Sequence, residues 1–413
     1  MANTPLTNAE VGFKPARTEL DAEEGVAALL DEAAGIGASD LFLATNERDV
    51  AVSMRHLGMV RHLSVLPLDR GRRYISHMKA MAGMDVAERR MSHDGRWVRR
   101  SEAGQVLDLR INTIATLYGE DLAVKLLARD SQFRHIEGLG LLRQQHNALI
   151  GLLNRPGGLL LVTGPSGSGK TTTLYACLHY LNDGTRKINT IEDPIEYSMD
   201  GIRQSQVNPR IEVDFPDVLR SVLRQSPDVI MIGEIRDSLT ATTAVRAANS
   251  GHLVVATLHA PVASGAIESM LSLGVHAHFL STGLLGVVAQ RLVRTLCPSC
   301  KIALDLSDAP QTFEEIQCWM SPGEGRQMYT APGCEACRQT GFTERTGVFE
   351  VLPISREIRR MIAARRPGTE IERQAAQEGI VDFRRAALLK VAQGQTNIEE
   401  VVRAIPSEEG YES

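Results

Sequence analysis

An open, largely parallel α/β sheet with a smaller α+β domain ahead of it is the fold this sequence predicts, on three observations. From about residue 146, short apolar runs (GGLLLVT, KINTI, DVIMI, HLVVATL) alternate with helix-like segments (TTTLYACLHYL, DFPDVLRSVLRQS, SLTATTAVRAANS). Such alternation builds parallel strand pairs, because each strand returns to the sheet through a crossover helix. The first apolar run stops in a Gly-rich turn, GPSGSGKTT, that opens a helix. Polar residues follow each later run, where open α/β sheets hold their ligands.

The elements follow in chain order. Residues 1–20 are polar, contain two prolines and read as a flexible tail. Residues 21–130 mix a helical opening, DAEEGVAALLDEAAGIG, with strand-like DLFLAT, DVAVSMR and VLDLRINTIATL, which predicts an α+β domain. A linker is expected over 131–145. The larger domain spans 146–413; it includes a four-cysteine segment at 297–345 and a helical end at 346–413, with the amphipathic stretch TNIEEVVRAI.

Composition narrows the function. Lys and Arg total 45 against 50 Asp and Glu, a net charge of −5, so there is no global case for nucleic acid or an anionic membrane. Aromatic residues are 4% of the chain, too few to support stacking platforms for single-stranded nucleic acid. Nothing approaches the ~18 consecutive apolar residues of a spanning helix. MANTPLTNAE lacks the basic start and apolar run of a secretory leader, so a soluble intracellular protein is expected. The Arg-rich segments RHLSVLPLDRGRR, ERRMSHDGRWVRR and REIRRMIAARR read as solvated faces.

Gly164, Pro165, Ser166, Gly167, Ser168, Gly169, Lys170 and Thr171 complete the pattern G-x-x-x-x-G-K-[ST], with Thr172 beside it. The glycines let backbone N–H groups turn onto phosphates, Lys170 reaches the β and γ phosphates, and the Thr171 hydroxyl ligates Mg²⁺. A P-loop NTPase core of RecA-like type, taking ATP with Mg²⁺, is the expectation. Glu192, Asp193 and Glu196 follow KINTI, Glu234 follows VIMI, and His259 follows VVATL. One such carboxylate can serve the Mg²⁺ shell and another can orient water, while His259 is placed to sense phosphate. His252, at the start of its run, reads equally as structural.

Cys297 and Cys300 form one C-x-x-C pair, Cys334 and Cys337 another, separated by 33 residues. Four thiolates in this arrangement suit a closed, structural Zn²⁺. Cys177 and Cys318 read as packing residues.

In order along the chain, GPSGSGKTTTLYA, IEDPIEY, LRQSPDVIMIGEIRD and GHLVVATLH resemble a Walker A loop, acidic box, Walker B and histidine box. The resemblance is to the secretion ATPases of type II secretion and type IV pilus assembly. ERRMSHDGR and LDLRINTIATLYGEDLAVKLL resemble that family's N-terminal, PAS-like domain; GCEACRQTGF and GVFEVLPI resemble its C-terminal part. The likeness covers about residues 25–405.

It implies a homohexameric ring on the cytoplasmic face of the inner membrane, whose domain motions turn a membrane platform protein and so drive pilin or pseudopilin assembly. By position, Lys170 and Thr171 bind phosphate and Mg²⁺, Glu234 joins the Mg²⁺ shell, and Glu196 orients the attacking water. Gly233 agrees with the family's lack of an Asp in Walker B. Arg110 and Lys125 stand where two N-terminal-domain arginines reach the γ-phosphate. A tetracysteine segment is typical of assembly and secretion motors rather than retraction motors.

Departures from the pattern are Lys125 for Arg, Phe42 for a common His, Ser226 for Asp, and Ala260, Pro261 and Val262 where T-N-D is usual. The N-terminal extension with which many such ATPases dock on a membrane partner is not expected. Hydrolysis is. The rival readings are a DNA-transfer ATPase of type IV secretion or conjugation, and a ring subunit that binds nucleotide without hydrolysing it.

Overall fold

The structure, a computed structural model, describes residues 21–102, 104–127, 135–208, 211, 213–307 and 309–405. The expected tail at 1–20 and residues 131–134 of the expected linker lie outside them. The chain falls into two compact units: Met1–Arg129 with Pro332–Thr343, and Asp130–Ala331 with Glu344–Ser413.

Among the described residues, the first unit holds a six-stranded sheet in the order β3-β2-β1-β6-β5-β4. Its strands are β1 (Asp40–Thr45), β2 (Asp49–His56), β3 (Met59–Pro67), β4 (His93–Arg100), β5 (Val106–Thr116) and β6 (Gly119–Leu127), all paired antiparallel. Strand alternation sends Leu41, Leu43, Val50, Val52, Leu109 and Ile111 into one core with α1 (Ala22–Ile36) and α2 (Leu68–Met81). Helix α1 starts where the Asp21 side chain accepts a hydrogen bond from the Glu24 amide, and it ends at Gly37, whose φ of 75° is costly for other residues. In RHLSVLPLDRGRR the charged side is solvated as expected, with Arg72 and Arg73 exposed, while Leu63 and Leu66 face the core; helix α2 then carries a buried stripe of Tyr74, Ile75 and Met78. Lys79 is also buried there, 2.5 Å from Glu120, a pairing that offsets the desolvation of both charges.

The second unit is an α/β layer structure around a seven-stranded sheet, order β15-β12-β7-β11-β10-β8-β9. The strands are β7 (Gly158–Thr163), β8 (Ile188–Glu192), β9 (Arg203–Gln206), β10 (Val229–Ile232), β11 (Leu253–Leu258), β12 (Leu284–Leu296) and β15 (Phe342–Pro353). The run from β12 to β9 pairs in parallel. Strands β7, β8, β10 and β11 are buried at every position, which is why β7, β10 and β11 read as nearly unbroken apolar runs; β8, INTIE, takes Asn189, Thr190 and Glu192 into the same buried layer.

Alternate residues of these strands serve two separate cores. Leu160, Val162, Met231 and Val255 pack with α3 (Arg143–Leu153) and α4 (Lys170–Leu181). Leu159, Leu161, Ile230, Ile232, Val254 and Ala256 pack with α5 (Phe215–Leu223), α6 (Ser238–Asn249) and α7 (Ala263–Ser272). Helix α3 opens at Arg143, slightly ahead of the boundary expected at 146. After α8 (Ala277–Gly283) and β12 comes a small hairpin, β13 (Ile302–Asp305) with β14 (Gln327–Thr330). Helices α9 (Arg356–Ala363), α10 (Gly368–Gln377), α11 (Phe383–Ala392) and α12 (Ile398–Ala404) close the chain. No helix among the described residues is long and apolar enough to cross a membrane.

Candidate active site

Parallel pairing brings the C-terminal ends of β7, β8, β10 and β11 side by side, and each delivers one of the predicted groups. Beyond β7, in the Gly-rich loop expected to cradle phosphate, Gly164, Gly167 and Gly169 have φ of 146°, 76° and 87°. At Gly164 a Cβ would sit 2.4 Å from the Gln290 carbonyl, so only glycine fits that approach. Gln290, on neighbouring β12, donates from its side-chain amide to the Ser168 carbonyl at 2.6 Å and braces the loop from below. The loop passes directly into α4, whose first amides point back toward it. Thr171 is exposed and Thr172 half-buried.

The Lys170 ammonium donates to the Gly164 and Pro165 carbonyls at 2.8 and 3.1 Å and lies 3.5 Å from His259 Nδ1. Burial lowers its pKa, and the nearby Glu234 charge opposes that shift. His259 Nε2 is 2.8 Å from a Glu234 oxygen, and Arg236 pairs with the other at 2.5 Å. The loop holding His259 is clipped by Thr163, whose hydroxyl donates to the Ala260 carbonyl at 2.9 Å and accepts from the Ala260 amide at 2.8 Å. Two residues on, Val262 cannot cap α7. The Ala263 amide instead donates to Glu350 at 3.1 Å. A cavity of about 1290 Å³ runs from Glu234 and His259 to Glu268, Glu350 and Glu372. Burial is the main cause that pushes the Glu350 carboxyl up to about 7; Asp382 and Glu372 add to it.

Beyond β8 the predicted carboxylates separate. Glu192 is buried and accepts from the Tyr175 hydroxyl, Asp193 is exposed, and Glu196 is half-buried on the following loop. His252 lies at the opposite end of β11, where Nδ1 meets the Ala247 carbonyl at the end of α6 (3.0 Å), a structural contact.

Arg110 and Lys125 belong to the first unit, where they are register partners across β5 and β6. Lys125 is also opposite Asp40, and Arg110 opposite Arg96, so Arg55, Asp40, Lys125, Arg110 and Arg96 form one row across five strands. This row lies on the face away from Leu109 and Ile111.

The sulfurs of Cys297, Cys300, Cys334 and Cys337 all lie within 4.8 Å of one another. The Cys334 and Cys337 sulfurs are 3.8 Å apart, matching the ~3.8 Å edge of a ZnS₄ tetrahedron with ~2.3 Å bonds. Amides of Cys334 and Gly341 point at the Cys337 sulfur from 3.2 Å, the second-layer hydrogen bonding thiolates need. This donor set fits Zn²⁺.

Cys177 is a packing residue as expected, fully buried, with its thiol pushed up to about 12 by burial. Cys318 is not. It is exposed, because Phe313 and Ile316 fill the inner side of its 3-10 turn. Sequence reasoning also missed Arg236, Tyr175, Gln290 and Glu350. For Tyr175 a signal existed: a tyrosine on a buried helix face needs a partner for its hydroxyl.

The profile described as type II/IV secretion system protein matches residues 19–403. Type II secretion system protein E of Dickeya dadantii is 42% identical over 383 residues, spanning 92% of this chain and 75% of that relative. The type IV pilus assembly ATPase PilB of Pseudomonas aeruginosa is 39% identical over 376 residues, 91% of this chain and 66% of that protein. Among solved structures, the pilus retraction motor PilT with bound ADP aligns with a TM-score of 0.61 at 25% identity, covering 95% of this chain and 99% of that one.

Proposed function

The chain belongs to the type II/IV secretion system protein family, and from that premise we propose that it is the ATP-hydrolysing motor of a type II secretion or type IV pilus assembly machine. The observation that carries this reading is the meeting of Lys170, His259 and Glu234 at three adjoining strand ends beside the phosphate loop.

Lys170 leaves its loop carbonyls to neutralise the β and γ phosphates of ATP. The Thr171 hydroxyl and the Glu234 carboxylate, both hard oxygen donors, would hold Mg²⁺. Held there with ATP, Mg²⁺ would supply Lewis-acid neutralisation of the negative charge that develops on the phosphates. Glu196 orients the water that attacks the γ-phosphorus as the bond to the ADP oxygen breaks, giving ADP and phosphate. His259 links the phosphate-binding lysine to the carboxylate. Arg110 and Lys125 present two adjacent cations on one sheet face, suited to a γ-phosphate.

The working assembly is a homohexamer held at the cytoplasmic face of the inner membrane by a platform protein, which it turns to assemble pilins or pseudopilins. The tetracysteine cluster supports assembly or secretion over retraction, with Zn²⁺ as a structural staple. Glu196→Gln tests the chemistry: the variant should bind ATP normally and hydrolyse it poorly, and wild-type turnover would remove Glu196 from its role.

A further inference from the structure

We propose that Tyr175 and Glu192 are positioning residues for ATP hydrolysis, tying the helix that grows out of the phosphate loop to the loop that carries Glu196. This rests on Glu196 as the water-orienting carboxylate.

Tyr175 lies on α4, the helix that Lys170 begins, and is 1% exposed; Glu192 ends β8 and is 3% exposed. A carboxylate this deep must be met by donors. The Tyr175 hydroxyl donates to one of its oxygens, while the Thr190 hydroxyl (2.5 Å) and the Gln204 amide (3.1 Å) donate to the other. Because the tyrosine proton is committed to Glu192, the lone pairs of Oη remain as acceptors, and the backbone N–H of Glu196 donates to them at 3.3 Å. Burial, reinforced by this bond to Glu192, raises the Tyr175 pKa and keeps the hydroxyl protonated.

Gln204 holds the same loop twice more. Its amide donates to the Tyr197 carbonyl at 3.1 Å, and its carbonyl accepts from the Met199 amide at 2.8 Å. The Tyr197 ring packs on Tyr175 with centroids 4.6 Å apart. Three backbone groups between 196 and 199 are thus fixed by two side chains, both anchored on one buried carboxylate. At its other end α4 is continuous with the loop that cradles phosphate, through the bond from the Thr173 amide to the Gly169 carbonyl (3.0 Å). Movement of α4 on phosphate binding passes through one hydroxyl to the backbone of Glu196. A carboxylate displaced by an ångström no longer aims its water, and losses near a hundredfold follow from errors of that size.

The test measures Mg·ATP turnover and ATP affinity for wild type, Tyr175→Phe, Glu196→Gln and the double variant. Tyr175→Phe keeps the ring that packs on Tyr197 and removes only the hydroxyl. It should lower kcat roughly ten- to a hundredfold with ATP affinity within about twofold, and the double variant should fall no further than Glu196→Gln alone. A purely structural role would lower the melting temperature and leave kcat per folded molecule intact. Full turnover in Tyr175→Phe beside an inactive Glu196→Gln overturns the positioning role alone. Wild-type turnover in Glu196→Gln overturns the role of Glu196 and this proposal with it. If Tyr175→Phe does not fold, Gln204→Leu, which frees Tyr197 and Met199, must show the same kcat loss at constant affinity; unchanged kcat there overturns the proposal.

Discussion

Glu234 and His259 stand 2.8 Å apart at the ends of the neighbouring parallel strands β10 and β11, and the same imidazole faces Lys170 from its other nitrogen at 3.5 Å. Lysine can only donate, so Nδ1 accepts and Nε2 carries the proton offered to Glu234. His259 thereby joins Lys170 to Glu234, the cation and carboxylate we propose for phosphate and Mg²⁺. Replacing it with alanine should lower kcat roughly ten- to a hundredfold with a much smaller change in ATP affinity. Steady-state hydrolysis alongside fluorescent-nucleotide binding checks this; an equal loss in both would make His259 a simple binding residue.

Lys125 keeps a positive charge opposite Arg110 but lacks the two-pronged guanidinium. Lys125→Arg should raise turnover several-fold, and Lys125→Ala should lower it by roughly tenfold or more, since cations at a transferring phosphoryl group contribute strongly. Turnover indifferent to both changes would take Lys125 out of the chemistry.

The four cysteines should bind one Zn²⁺ per chain, measurable by elemental analysis after purification in reducing buffer. Chelation, or the paired change Cys334→Ser with Cys337→Ser, should lower the melting temperature by several degrees while leaving nucleotide affinity in place. An unchanged melting curve after verified metal loss would speak against a structural role.

Glu350 gives a pH signature. Its folded carboxyl titrates at about 7 against an ordinary 4.5, so between those values the native state holds a proton the unfolded state has lost. Its contribution to stability is intact below pH 4.5, declines as pH rises to 7, and stays lost above that. Glu350→Gln retains an acceptor for the Ala263 amide and removes the titration. The difference in melting temperature between variant and wild type should therefore grow in the variant's favour from pH 4.5 to 7 and then level off. Parallel profiles would contradict the assigned shift.

Legibility in the sequence followed the range of the interactions. Strands β7, β8, β10 and β11 are sandwiched between two cores, so their text is mostly apolar and their places along the chain could be read directly, whereas their order in the sheet could not. The Gly-rich loop at 164–171 was legible because phosphate binding, the function we propose for it, demands fixed spacing within eight residues. Helix α2 was not: its arginines dominate the text, and its buried Lys79 makes sense only beside Glu120, forty-one positions away. Gln290 supports the loop from 122 positions beyond Ser168, and Glu350 caps α7 from 87 beyond Ala263. Cys318 was misread because an apolar neighbourhood in sequence says nothing about which side of a turn a residue occupies.

The account stands most directly on Mg²⁺-dependent ATP hydrolysis by the purified chain, wild type beside Glu234→Gln, with assembly mass measured with and without ATP. It predicts wild-type turnover, a loss of roughly a hundredfold or more in the variant, and an ATP-bound mass six times the 45.1 kDa chain. Nucleotide bound without turnover by the wild type, or equal turnover by both proteins, would contradict it.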